Sequence, residues 1–163
     1  MIRNAVHGDL PAIENIYAIA RGYMARTGNP TQWGNSYPAP SLLEGDIERN
    51  ELFVYEEEGV IRGVFAFMLG DDPTYAYIED GEWPNQKPYG TIHRIASDGQ
   101  TKGVFTHCFS YALSQMDEIR IDTHHDNKTM QHVVEKHGFK RCGVIYVSDG
   151  SPRIAYQYSK ENP

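Results

Sequence analysis

Apolar residues recur along the chain at two kinds of spacing, and together they predict a mixed α/β fold. Spacings of three and four residues predict helices, and alternation or short apolar runs predict strands. The predicted strands are Ile2 to Val6, Leu52 to Tyr55, Val60 to Leu69, Gly90 to Ala96, Ile119 to Thr123, Phe139 to Val147 and Arg153 to Ser159. The predicted helices begin after Asp9, at Ser41, at Val104 and after Asp126 or Asn127. The order β-α-α-β-β-β-α-β-α-β-β is typical of an α/β (α+β mixed-sheet) domain.

Polar residues and glycines mark the predicted helix ends. The carboxylate of Asp9 is expected to accept the free N–H groups of the first helix. Ser41 and Glu44 have the spacing of a capping box for the second helix. Gly138 stands where the last helix needs a left-handed residue to end.

The connection from Asp71 to Tyr89 is long for a compact domain and rich in Asp, Pro, Gly and aromatic residues. A loop of this length is usually functional or contains further structure. We expect a short strand within it, from Tyr75 to Glu79.

Length and charge restrict the class of protein. The chain has 163 residues and a net charge of −7, which predicts one domain over residues 1–163 and disfavours binding to nucleic acid or an anionic membrane. No apolar run is long enough to span a membrane. The two cysteines, Cys108 and Cys142, have no disulfide-scaffold or zinc spacing. Because the N-terminus also lacks the apolar core of a signal peptide, we expect a cytoplasmic protein.

The segment from Ile95 to Phe105 is the most informative for chemistry, because a strand ends, a glycine-rich turn follows and a helix begins. Free N–H groups and the helix dipole at such a turn favour phosphate. Gly99 and Gly103 allow close approach of a ligand, and Lys102 adds a positive charge. The turn is neither a Walker A loop nor a dinucleotide fingerprint. A plain strand-to-helix connection is the alternative.

Two motifs in this order resemble the GNAT superfamily of acyl-CoA-dependent N-acyltransferases. The first has Gln100 and Gly103 at the spacing of the family's pyrophosphate loop, with Phe105 in place of its small residue. The second is an Asn-led helix from Asn127 that ends in Gly138-Phe139. The resemblance covers nearly the whole chain and implies a GNAT-like acyl-CoA N-acyltransferase fold.

The resemblance implies acetyl-CoA as cosubstrate and a set of residues that bind it. Backbone of Ile95 would pair with the pantetheine arm, Asn127 would hydrogen-bond that arm, and backbone donors near Ile95 and Ala96 would bind the oxyanion. The pyrophosphate would be held by backbone N–H groups of Gln100, Thr101, Lys102, Gly103 and Val104. Val134 stands where many relatives have the Tyr that protonates the leaving thiolate, so that acid is absent from its usual place.

Direct attack of an amine on the thioester needs a base for the ammonium proton and an acid for the thiolate. His93, two residues before Ile95 in the strand, is the first candidate base, since imidazole titrates near neutral pH. Glu79 is a second candidate base, acting through water, and Tyr146 is a substitute acid. Each has an ordinary alternative: a core histidine, a solvated carboxylate and a packed tyrosine.

The connection between the first two helices is longer than usual, and the resemblance to the GNAT superfamily implies that it lines the acceptor site. Gln32, Trp33 and Tyr37 offer apolar bodies with polar tips, although one buried Trp that anchors the loop is the simpler interpretation. The opposite wall is predicted from four aromatic residues: Tyr75, Tyr77, Trp83 and Tyr89. Three acidic residues lie near them, Glu79, Asp80 and Glu82, and their charge would favour a cationic amine. The acceptor is expected to be a small molecule or a peptide.

The histidines indicate a candidate metal site at His124-His125-Asp126, with His132 farther along the chain. The spacing lacks His-Glu-x-x-His, and adjacent residues at a strand end are expected to point to opposite faces. We therefore expect no bound metal. Besides an N-acetyltransferase, a catalytically silent acyl-CoA-binding module and a metal-binding protein remain as interpretations, and the acyl chain length and a homodimer stay open.

Overall fold

The computed structural model describes residues 1–161, and its helices and strands follow the predicted order. The strands are β1 Ile2–Asn4, β2 Leu52–Glu57, β3 Val60–Leu69, β4 Gly90–Ser97, β5 Glu118–Thr123, β6 Lys140–Tyr146 and β7 Pro152–Ser159. The helices are α1 Leu10–Arg26, α2 Pro40–Glu48, α3 Val104–Gln115 and α4 Lys128–Lys136. The mixed α/β fold is thus confirmed. No helix of the described part has the length and apolar character that crossing a membrane requires.

The chain forms two compact units, and the first consists of Met1–Phe67 and His93–Tyr111. Its strands are ordered β1-β2-β3-β4, and β2 pairs antiparallel with both β1 and β3. The predicted spacing gives α1 a buried face made of Ile13, Ile16 and Tyr17. The fully buried Val54 of β2 and Val64 and Phe65 of β3 add to the apolar core of this unit.

Among the described residues, the second unit consists of Met68–Ile92 and residues 112–161. Here the start of β4 pairs parallel with β5, and β7 pairs antiparallel with β5 and β6. Arg120 is buried, and its guanidinium lies 3.9 Å from the ring centroids of both Trp83 and Tyr89. Glu118 is also buried and accepts hydrogen bonds from the three side chains Asn85, Gln157 and Ser159. The single domain predicted from the length stays a prediction.

The long loop differs from its predicted structure in two respects. It contains a 3₁₀ turn at Pro73–Tyr75 and a single bridge from Glu79 to Val144, so the predicted strand from Tyr75 to Glu79 is wrong. Tyr75, Trp83 and Tyr89 form an apolar cluster with Ile145 and Ala155, and each is less than 10% exposed. These three aromatic residues therefore belong to a core and not to the predicted wall of the acceptor site. Burial of their large apolar rings is favourable even though the loop that carries them is polar.

Two predicted helix caps are wrong, and one is confirmed. Asp9 accepts hydrogen bonds from Arg3 and from the Val6 N–H instead of capping α1. Helix α2 begins at Pro40, one residue before Ser41, since the fixed φ of proline suits the first helical position. For α4, Asp126 and Asn127 are the two predicted caps, and the structure confirms Asn127: its Oδ1 accepts the Met130 N–H at 3.0 Å.

Candidate functional site

The turn between β4 and α3 lies in the first unit and needs glycine at two positions. Gly99 has a φ of +77° and Gly103 a φ of +78°, which are left-handed conformations. A Cβ on Gly103 would contact nothing within 4 Å. The backbone conformation, and not lack of space, therefore requires glycine there, and the open space around Gly103 leaves room for a ligand.

Asp98 shapes this turn with its carboxylate. Its Oδ1 accepts the N–H groups of Gln100 at 2.9 Å and Thr101 at 2.8 Å, and its Oδ2 accepts the Thr101 hydroxyl at 2.9 Å. Burial opposes ionisation, but these hydrogen bonds and the charge of Arg62 lower the pKa of Asp98 below its usual range. The carboxylate therefore stays ionised at neutral pH.

Of the five N–H groups that the resemblance assigned to the pyrophosphate, some are already bonded to Asp98 and the others are not. Those of Gln100 and Thr101 are occupied by a carboxylate of the chain itself. Those of Lys102, Gly103 and Val104 have no acceptor within residues 1–161. An anion at this turn would therefore bind at the latter three, where α3 begins and the helix dipole is most positive.

Strand β4 is irregular just before the turn. Arg94 has a φ of +51°, and its carbonyl accepts the hydroxyl of Tyr17 in α1 at 2.7 Å. Its side chain is 10% exposed, and its guanidinium lies 2.5 Å from the carboxylate of Asp46 in α2. Sequence reasoning missed Asp46, although an acidic residue beside Leu43 and Ile47 on an apolar helical face signals a buried partner.

His93, Ile95 and Ala96 flank this irregularity in β4. His93 and Ile95 are half-buried, whereas Ala96 is buried. Because the left-handed residue interrupts the regular alternation of the strand, spacing alone does not determine where these three residues face. Their catalytic and cofactor-binding roles stay predictions.

The loop between α1 and α2 is held by an aromatic contact to the core. Trp33 is half-buried and packs edge-on against the buried Tyr17, with ring centroids 5.6 Å apart. Tyr37 packs against Trp33 at 6.3 Å and is 40% exposed, and Gln32 accepts a hydrogen bond from Asn29 at 2.9 Å. Trp33 thus anchors the loop while Tyr37 offers an exposed ring, so both interpretations of this segment retain support.

In the second unit, the structure brings Glu79 and Tyr146 together. The Tyr146 hydroxyl donates to Glu79 Oε1, and the Tyr77 hydroxyl donates to Glu79 Oε2 at 2.9 Å. These hydrogen bonds, first that of Tyr146, lower the pKa of Glu79 and raise the pKa values of both tyrosines. Glu79 is therefore a weaker base, and Tyr146 a weaker acid, than the free side chains.

Asn127 and Val134, to which the resemblance also gives a meaning, lie in the second unit. Asn127 is buried and uses its Oδ1 as the cap of α4. Val134 is fully buried on the apolar face of the same helix, so this position supplies no hydroxyl.

The histidine pair contradicts the expectation that adjacent residues at this strand end point to opposite faces. The rings of His124 and His125 stack with centroids 4.4 Å apart, because the strand ends at Thr123 and the chain turns there. With Asp126 they offer ligand atoms within 4.8 Å of one another, and His132 is outside this group. However, His124 Nδ1 already accepts the Asp126 N–H at 3.0 Å, and the cluster stands before the positive end of α4. The expectation of no bound metal stays a prediction.

Comparison with known proteins gives close structural similarity. An acetyltransferase of the GNAT family from Streptococcus agalactiae 2603 has a TM-score of 0.88 and 32% identity, over 99% of this chain and 96% of that one. A candidate acetyltransferase from Staphylococcus aureus Mu50 has a TM-score of 0.72 and 26% identity, over 98% and 99%. The protein yncA from Salmonella typhimurium, solved with its cofactor acetyl-CoA, has a TM-score of 0.63 and 16% identity, over 100% and 95%. No model of a known protein family and no curated protein sequence matches the chain.

Proposed function

Because the chain belongs to the GNAT family of acetyltransferases, we propose that it transfers the acetyl group of acetyl-CoA to a primary amine. The acceptor is a small molecule or the amino group of a peptide. The amine nitrogen forms a bond to the thioester carbonyl carbon, the C–S bond breaks, and coenzyme A leaves as a thiolate. The acetyl-CoA reported with yncA supports the choice of cosubstrate.

The turn from Ser97 to Val104 carries this proposal. At the start of α3, the N–H groups of Lys102, Gly103 and Val104 have no acceptor among the residues that the structure describes, and the space around Gly103 is open. The exposed Lys102 adds a positive charge in the same segment. A pyrophosphate needs this combination of backbone donors, helix dipole and cation. Asp98 keeps the turn in one conformation, which reduces the entropy lost on binding.

The raised pKa values of both cysteines favour direct attack by the amine over transfer of the acetyl group through an acylated cysteine. Burial raises the pKa of Cys108 to about 12 and the pKa of Cys142 to about 11. The nucleophilic form of cysteine is the thiolate, so neither residue is suited to accept the acetyl group. We keep the cytoplasm as the expected compartment of the protein.

His93 is the preferred base among the two candidates. Imidazole can accept an ammonium proton near neutral pH. Glu79 accepts one less readily than an ordinary carboxylate, since two phenolic hydrogen bonds stabilise its ionised form. We therefore assign the amine proton to His93, directly or through one water, and keep Tyr146 as the candidate donor to the thiolate.

Trp33 and Tyr37 are the proposed contacts of the acceptor. Trp33 is anchored on Tyr17, and Tyr37 presents an exposed ring beside it. An aromatic surface of this kind can bind an amine through its apolar carbon atoms or through cation–π contact. Gln32 supplies a polar group in the same loop.

The experiment is a binding and turnover measurement on the full chain. Isothermal titration with acetyl-CoA should give a saturable isotherm, and 100 times the dissociation constant should stabilise the fold by about 2.7 kcal/mol. A panel of small-molecule and peptide amines should then contain at least one that releases free coenzyme A together with an acetylated product. Binding without turnover on any amine would favour the silent acyl-CoA-binding module, and no binding would reject the proposal.

A further inference from the structure

The left-handed conformation of Arg94 is unusual for a residue inside a strand. Its φ is +51°, whereas strand residues have negative φ. Such a residue costs free energy and persists only where the surrounding structure holds it. Because residues of this kind concentrate at functional sites, the contacts that hold Arg94 call for a functional explanation.

Two buried side chains hold Arg94, one at the backbone and one at the guanidinium. The Tyr17 hydroxyl donates to its carbonyl at 2.7 Å, and Tyr17 is 1% exposed. The Asp46 carboxylate is fully buried and accepts from its guanidinium at 2.5 Å. Burial raises the pKa of Tyr17, so its hydroxyl keeps the proton that it donates. Helices α1 and α2 therefore each contribute one contact that fixes a single residue of β4.

The contact from Tyr17 also determines the direction of the next N–H group in the chain. The Arg94 carbonyl and the Ile95 N–H belong to one planar trans peptide unit, in which C=O and N–H point in opposite directions. Since the carbonyl points toward the Tyr17 hydroxyl, the Ile95 N–H points away from it. A hydrogen bond accepted by the carbonyl also polarises the amide, which makes its N–H a stronger donor.

We propose that Tyr17 is a positioning residue for acyl transfer, which orients and strengthens the Ile95 N–H as a donor to the oxyanion. Asp46 supports this arrangement by holding the Arg94 side chain. The inference rests on the proposed function, because the oxyanion forms only when a thioester carbonyl is attacked. A preorganised donor acts on charge that develops in the transition state. The role therefore predicts an effect on kcat and little effect on acetyl-CoA affinity.

The test compares Tyr17→Phe with Tyr156→Phe. Each wild-type tyrosine is 1% exposed and donates one hydroxyl hydrogen bond, in the case of Tyr156 to Glu135 at 3.0 Å. Turnover is measured with an amine from the panel, and also without an acceptor as hydrolysis of acetyl-CoA, since attack by water forms the same oxyanion. Tyr17→Phe should lower kcat about 10- to 100-fold, because a misplaced reacting group costs about 100-fold. Its acetyl-CoA dissociation constant should stay near wild type, and Tyr156→Phe should keep its kcat.

A spectroscopic measurement tests the same inference without turnover. Infrared difference spectra of bound acetyl-CoA, labelled with ¹³C at the thioester carbonyl, report how strongly the carbonyl is polarised. The stretching frequency should fall on binding to the wild type and to Tyr156→Phe, and fall less on binding to Tyr17→Phe. An equal decrease in both variants, or no decrease in the wild type, would overturn the role of Tyr17.

Variants at Arg94 isolate the backbone conformation from the side chain. Arg94→Gly and Arg94→Ala both remove the guanidinium, but glycine adopts a positive φ freely and alanine does not. Arg94→Gly should therefore retain more turnover than Arg94→Ala. Equal turnover would contradict a role for the left-handed conformation. Failure of the wild type to bind acetyl-CoA would instead reject the proposed function, so the two failures are distinguishable.

Discussion

Substitution of Gly103 by alanine should weaken acetyl-CoA binding through the backbone alone. The φ of +78° is costly for alanine, by about 1–2 kcal/mol. Gly103 is exposed and its N–H is not one of the two that Asp98 holds, so we expect the backbone at this residue to relax in the free variant and to need the left-handed conformation again on binding. Since 1.4 kcal/mol is tenfold, the dissociation constant should rise about 5- to 30-fold. Gly103→Glu should weaken binding further, because it adds a negative charge beside the phosphates.

Gly59 provides a matched control for this substitution. It has the same φ of +78°, lies in the turn between β2 and β3, and has no atom within 4 Å of the point that a Cβ would occupy. Gly59→Ala should lower the free energy of unfolding by about 1–2 kcal/mol and leave acetyl-CoA affinity unchanged. Isothermal titration gives the affinity and thermal unfolding gives the stability. If Gly103→Ala binds acetyl-CoA as tightly as Gly59→Ala, the phosphates do not lie at this turn.

Three further predictions concern the base, the acceptor and the turn. His93→Ala should lower kcat/KM about 10²- to 10⁴-fold, and a variant within threefold of wild type would reject His93 as base. Trp33→Ala should raise the acceptor KM with acetyl-CoA affinity unchanged, whereas a loss of stability of several kcal/mol would support anchoring alone. Because the folded-state pKa of Asp98 is lowered, its contribution to stability is present above the ordinary aspartate pKa and is lost as pH falls through the lower folded value. The difference in melting temperature between wild type and Asp98→Asn should therefore be largest near neutral pH and shrink below about pH 4, and a constant difference would contradict it.

The order of helices and strands could be predicted because each element has a clear apolar periodicity. The face of α1 with Ile13, Ile16 and Tyr17 is one example, and Gly138 at the end of the last helix, with a φ of +95°, is another. Helix starts were less predictable, since Asp9 binds Arg3, a residue six positions away in another element. Such competition between a local cap and a tertiary ion pair leaves no local signal.

The candidate site was only partly predictable for a related reason. The glycine-rich turn has a local pattern, but the hydrogen bonds of Asp98 to two of its N–H groups depend on the folded turn. The contacts of Arg94 with Tyr17 and Asp46 join residues 77 and 48 positions apart. Alternation along a strand predicts where a side chain faces only while φ stays negative, so the positive φ at Arg94 could not be foreseen. The contact between Glu79 and Tyr146 likewise follows from the fold and not from spacing.

The most direct test of the central claim is an NMR titration of ¹⁵N-labelled protein with acetyl-CoA. The amide signals of Lys102, Gly103 and Val104 should shift most, because their N–H groups would become donors to the pyrophosphate, and the Ile95 signal should shift with them. The amide of Gly59 should stay unchanged. Saturable binding with no change at the three amides of the turn would contradict the account.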